Sequence, residues 1–346
     1  MALMENRPDQ MANANGQYLA AVQMVRKDLA TPQVSQSSQQ PRQLSNEVLQ
    51  SVLLLDLYEK INLEQHTLGP SASWLSHING ALGIIQSRLS IDYRNSATAQ
   101  LIHRTIISLT SSLGVIGARV PFSVSDLIRN LHRYSRDAKL TYLGLLTSVM
   151  DLRADMRSGS FSVDDVITKA RELQSQLADA QAKVPRSWRP YREASHSLLV
   201  FGTHYDMYPS HYSTQVLNAF RMLRLDLCAV IRSLRTDPSV DAIIVKVTQE
   251  ICAAVPQFLL VEASAENSVP LSPMQMLKCR AVLTPLFKAA QTTMDESLRD
   301  WVLLCLDFMS QNGLKPAQEV ADMLRFSPEV DYWSVYTMIG GCGITA

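Results

Sequence analysis

Breaks are what this chain has least of: only 13 glycines and 15 prolines are spread over its 346 residues. Such scarce punctuation excludes the short strands and frequent turns of sandwiches and barrels. Charge of one sign is missing too. Lysine plus arginine equals aspartate plus glutamate at 32 each, so no net field is present to release counterions from a phosphate backbone, which speaks against autonomous nucleic-acid binding. No apolar run reaches the ~18 residues that a membrane-spanning helix needs. The first ten residues place Glu5, Arg7, Pro8 and Asp9 where a secretory signal requires its apolar stretch, and an intracellular setting is expected. Cysteine is sparse and late: Cys228, Cys252, Cys279, Cys305 and Cys342 are the only five, and the nearest pair, Cys228 and Cys252, is 24 positions apart. Zinc needs closely spaced thiolates, so these read as buried free thiols, with no metal site. Serine-hydrolase, kinase and dinucleotide motifs are absent, and with them the strand-turn-helix setting they require. No catalytic or cofactor residue is assigned, and the chain is not expected to be an enzyme.

What is present is helical periodicity. Hydrophobic residues make up 47% of the chain and charged ones 18%, against roughly 25% charged in an average globular protein, so a large core is available. Ser162 is placed to cap the backbone N–H of Asp165, with Phe161 as a staple on Val166. Val163, Val166, Ile167, Ala170, Leu173 and Leu177 then mark one helical face. The same reasoning predicts helices at about 16–30, 41–62, 70–88, 96–118, 123–136, 138–157, 211–235, 238–255, 272–292 and 295–312. The expected class is all-α, an irregular array of antiparallel helix pairs forming one large domain over 16–330. A flexible N-terminus at 1–15, a mobile serine- and glutamine-rich loop at 33–43 and a tail at 331–346 complete the layout. Residues 184–210 read as irregular but ordered, because Trp188, Tyr191, Phe201, Tyr205 and Tyr208 supply aromatic area to pack.

Three stretches carry a resemblance. Residues 18–32 (YLAAVQMVRKDLATP), 49–59 (LQSVLLLDLYE) and 74–88 (WLSHINGALGIIQSR) follow one another as in the fungal-specific transcription factor domain, the helical region that follows a zinc cluster. The third is similar to that family's "W, two residues, H, two residues, GA, a leucine or isoleucine pair, R" signature. The likeness extends to the long helix running into ARVPF at 118–122, to VPRSWRPYR at 184–192, to LNAFRMLRLDL at 217–227, and to LTPLFKAA at 283–290 with Arg299 and Trp301 beyond it. Leu217 stands where the family has tryptophan before Asn218, and Leu89 where it has glycine after the arginine. The six-cysteine zinc cluster that reads DNA in this family has no counterpart, since no cysteine precedes Cys228.

Several polar residues stand out along these helices. His77 shares its helix with Trp74 and Gly80, and reads either as a ligand-sensing imidazole or as a helix-packing histidine. Gly80 and Ala81 beside it read as small residues that let helices approach. His204, Asp206 and His211 form the densest polar cluster, but a helical zinc pair wants histidines at i and i+4, and Pro209 interrupts this stretch. Capping and packing of the turn before the next helix is the preferred reading. Asn218, Arg221 and Arg224 share a helix side and are read as partner or effector contacts, or as internal hydrogen-bonding groups. The glycines at 340, 341 and 343 lack the lysine and helix of a phosphate loop.

The resemblance implies a transcription regulator without its own DNA reader, nuclear or alternatively cytoplasmic. It would act through protein partners, as a homo- or heterodimer, or through a small-molecule effector, on a fungal metabolic or secondary-metabolite pathway. Two alternatives stay open. The gene product starts upstream and includes a zinc cluster, which mapping the 5′ end of the transcript decides. Or the helical scaffold binds or converts a small hydrophobic metabolite, for which 14 methionines suit an adaptable apolar cavity.

Overall fold

The computed structural model describes residues 8–30, 46–62, 72–88, 91–135 and 137–339. Among them are thirteen α-helices and a single two-stranded sheet, so the fold is all-α. The expected loop at 33–43 and the glycines at 340, 341 and 343 lie outside the described residues. Two compact units, Met1–Ser112 and Leu113–Ala346, divide the chain where the sequence reading draws one domain.

The first unit contains α1 (Pro8–Ala30), α2 (Asn46–Asn62), α3 (Ala72–Gln86) and most of α4 (Ser96–Ile116). α1 begins at Pro8, well inside the segment expected to be flexible. Proline costs little in a first turn, and a tertiary bond holds the next part: Tyr58 of α2 donates to Asn15 Oδ1 at 2.6 Å. Intrinsic propensity, which disfavours Asn13, Asn15 and Gly16, is overridden there. Leu49, Val52, Leu55, Ile78, Ile85, Ile102 and Ile106 form the apolar interior. Polar ties join α2 to α4: Asn46 Nδ2 donates to Thr98 Oγ1 at 3.1 Å, and the Ser108 hydroxyl donates to buried Asp56.

The second unit adds α5 (Phe122–His132), α6 (Ala138–Ser158), α7 (Val163–Ala182), the strands β1 (Tyr191–Ala194) and β2 (His204–Met207), α8 (His211–Leu234), α9 (Pro238–Ala253), α10 (Pro273–Thr292), α11 (Glu296–Gln311), α12 (Pro316–Phe326) and α13 (Tyr332–Met338). Ser162 caps α7, its hydroxyl accepting from the Asp165 N–H at 3.2 Å. The predicted face of α7 is buried from Val166 to Leu177, but Val163, in the first turn, is exposed. Phe161 lies under Lys169 Nζ, 5.1 Å from its ring centre.

α8 is the axis of this unit. α6, α7, α9 and α10 all pack on it, and its side chains are buried without interruption from Ser213 to Cys228. A helix enclosed on every side has no solvent face for polar residues, so Asn218, Arg221, Arg224 and Asp226 must find partners inside the protein. The 331–346 segment, read as a tail, instead places α13 in the interior: Tyr332, Trp333, Val335 and Tyr336 are buried. Trp333 fits against Gly114 so closely that a Cβ there would sit 2.6 Å from its indole ring. Short amphipathic segments rich in aromatics carry little periodic signal, and only tertiary contact orders this one.

Candidate functional site

The face of α1 carrying Tyr18, Val22, Val25 and Arg26 follows the i, i+4, i+7, i+8 spacing of one helical stripe. It looks onto Val52 and Leu55 of α2 and onto Ser76, His77, Gly80 and Ile84 of α3, and these residues together line a cavity of about 530 Å³. This lies within the roughly 300–1,000 Å³ of small-molecule pockets. Arg88 just past α3 donates to Asn46 at the start of α2, while Tyr18, in the middle of α1, meets Glu59 near the end of α2 and His77 of α3, so α2 and α3 run antiparallel.

At that end the polar groups close on one another. The Tyr18 hydroxyl donates to Glu59 Oε1, and His77 Nε2 lies 3.1 Å from both the Tyr18 oxygen and Glu59 Oε1. A proton on Nε2 satisfies both contacts. Tyr18 stacks on Tyr58 with centroids 4.8 Å apart and meets the His77 ring edge-on at 6.3 Å. Burial pushes the Tyr18 phenol well above its usual range, and its bond to Glu59 and that carboxylate's charge push it further, while Arg26 pulls the other way. The phenol therefore stays protonated, a donor and not a nucleophile. Gly80 does not mediate a close helix contact. A Cβ there would meet nothing within 4 Å, whereas neighbouring Ala81 is fully buried.

The other six candidate residues belong to the second unit. Strand β1 pairs antiparallel with β2, with Arg192 opposite Asp206, and their side chains form a cross-strand ion pair at 3.6 Å. Burial pushes the Asp206 carboxyl up, and the Arg192 and Arg221 charges oppose that shift. His204 is exposed, with the Thr203 hydroxyl 2.7 Å from its Nδ1. His211 opens α8 with its ring edge-on to Phe258 at 5.5 Å. Burial, with the Lys278 charge, lowers it to about 4. No group of three or more metal-ligating side chains with metal-binding geometry exists among the described residues.

Arg221 is the most heavily bonded of the six. Its guanidinium donates to Tyr208 Oη and Asn218 Oδ1, each at 2.8 Å, and to Glu250 Oε2 at 3.1 Å. Arg224 donates to Gln181 Oε1 at 2.9 Å, and Gln181 in turn donates to Glu250 Oε2 at 3.0 Å. These groups tie α7, α8, α9 and the segment after β2 into one internal network. Asn218 and Arg221 are 1% and 4% exposed, too little to meet an outside partner.

A second charged network escaped the sequence reading. Asp226 accepts two bonds from Arg153, at 3.0 and 2.8 Å, and pairs with Lys288 at 3.2 Å. Arg153 also pairs with Asp331, and both cations lie over the Tyr332 ring, 5.7 and 5.2 Å from its centre. Burial alone would raise the Asp226 carboxyl, but Lys288 and Arg153 outweigh it and hold the group below its ordinary value.

No family model, curated protein or solved structure matches this chain. Function is therefore argued from the two sites themselves. The network around Arg221 is internal, its bonds running between buried and half-buried groups of the protein. The cavity of the first unit is open and combines an apolar wall with a few polar groups, as small-molecule sites do.

Proposed function

We propose that this chain is a transcription-regulator-like protein that responds to a small-molecule effector held between α1, α2 and α3, and that it reaches DNA through protein partners. One observation carries the reading. The three stretches that resemble the fungal-specific transcription factor domain, 18–32, 49–59 and 74–88, each contribute one polar side chain to the same cluster: Tyr18, Glu59 and His77. Motif residues far apart in sequence that converge beside a cavity are better explained by a shared task than by independent packing needs. The neutral overall charge supports action through partners. A Tyr18 phenol held protonated supports binding over nucleophilic chemistry.

The reading has a direct test. Deleting the gene is expected to change the transcript levels of a defined gene set, and the tagged protein is expected to co-purify with a DNA-binding partner. The purified chain alone is expected to give no saturable binding to duplex DNA at physiological salt. Unchanged transcripts together with an empty pull-down would rule the reading out.

A further inference from the structure

The cavity of the first unit has two chemically different ends. At one, Tyr18, Glu59 and His77 bond to each other. Arg26 lies two turns along the same face of α1, about 12 Å away at 1.5 Å per residue. It lines the cavity and is exposed. It takes no hydrogen bond or ion pair among the described residues. Between the ends the wall is aliphatic: Val22 and Val25 from α1, Val52 and Leu55 from α2, Ile84 from α3. Gly80 leaves open space on the third side.

We propose that this cavity binds a monocarboxylic acid with an unbranched or lightly branched aliphatic chain, its carboxylate on Arg26 and its chain directed toward Tyr18 and His77. The assignment rests on the effector-site reading above and names its ligand class. Orientation follows from charge. A carboxylate at the closed end would face the Glu59 carboxylate, whose Oε1 already accepts from Tyr18 and His77. At the Arg26 end it finds a guanidinium whose donors suit it. The wall between the two ends is aliphatic, so a flat aromatic acid gains less there than a hydrocarbon chain.

Decanoate, whose extended length is comparable to the about 12 Å between the two ends, is the probe, used below its aggregation concentration. Decanol and decylammonium serve as neutral and positively charged counterparts. Isothermal titration calorimetry on the full chain is expected to show saturable decanoate binding and at least about tenfold weaker binding of both counterparts. Arg26→Gln, at an exposed helix position, is expected to remove that preference while leaving the melting temperature unchanged. Gly80→Leu fills open space with a better helix former, and is expected to abolish binding without loss of helicity. Equal affinity for decanol, a preference for decanoate that survives Arg26→Gln, decanoate binding that survives Gly80→Leu, or no binding to the wild type each overturns the assignment. These failures appear in the calorimeter. Failure of the regulator reading appears in the transcripts and the pull-down, so the two are separable.

Discussion

At the scale of single residues, His211 gives the sharpest pH expectation. Its folded value, lowered to about 4 by burial and the Lys278 charge, lies below the roughly 6.5 of an unfolded histidine. Its position in the first turn of α8 also sets it at the positive end of the helix dipole. The unfolded chain thus takes up the proton first as pH falls. The contribution is intact above pH ~6.5 and is lost as pH falls toward 4, amounting to no more than about 3 kcal/mol. Urea unfolding of the wild type and His211→Phe at pH 7, 5.5 and 4.5 checks this. The variant is expected to gain on the wild type as the pH drops, and a constant gap would refute the assignment.

Two glycines separate steric from conformational causes at the scale of elements. Gly114 of α4 has ordinary helical geometry but faces the Trp333 ring, where a Cβ would intrude to 2.6 Å. Gly159 ends α6 in the left-handed region, at φ 67°, with open space around it. Gly114→Ala is expected to cost roughly 1–3 kcal/mol by overpacking and to shift tryptophan fluorescence as α13 loosens. Gly159→Ala is expected to cost about 1 kcal/mol through the backbone alone and to leave the fluorescence unchanged. Equal spectral changes in both would show that Trp333 does not rest on Gly114.

These elements also show what the sequence could reveal. α7 was legible because its cap and stripe are local, and helix type elsewhere followed from spacing. α13 was not, because seven residues with three aromatics carry no clear period and their order comes from contacts with distant helices. The hairpin of β1 and β2 was hidden too: its strands are four residues each, and β1 is exposed throughout, so no buried and exposed alternation marks it. In the candidate site, His77 stood out through its motif. Tyr18, Glu59 and Arg26 did not, because each looks like an ordinary helix residue until three helices are brought together. Asn218 and Arg221 were recognisable as unusual polar residues on an apolar helix, but only their burial shows where their hydrogen bonds end.

At the scale of the whole molecule, charge is balanced at 32 against 32, yet it is not evenly used. In the second unit, Asp226 draws Arg153 of α6 and Lys288 of α10 onto α8, and Tyr332 of α13 lies against both cations. One carboxylate thus joins four helices. Asp226→Ala leaves two cations facing each other in the interior, and is expected to cost about 3–5 kcal/mol, read as a lowered denaturation midpoint. The triple change Arg153→Met, Asp226→Leu, Lys288→Met removes the three buried charges, leaves the more exposed Asp331 to solvent, and is expected to recover much of that loss. A single variant as stable as the wild type would mean that water already reaches the pair.

The enclosure of α8 has a consequence for how the second unit comes apart. Between Ser213 and Cys228, a helix packed on four neighbours has no face from which it can fray, and any shift of that stretch strips α6, α7, α9 and α10 of a partner at once. Partial opening must therefore start at the periphery and stop short of this rod. The amides of this buried stretch are released only when the whole unit unfolds, which makes them the slowest to exchange with solvent and makes it the measure of the unit's global stability.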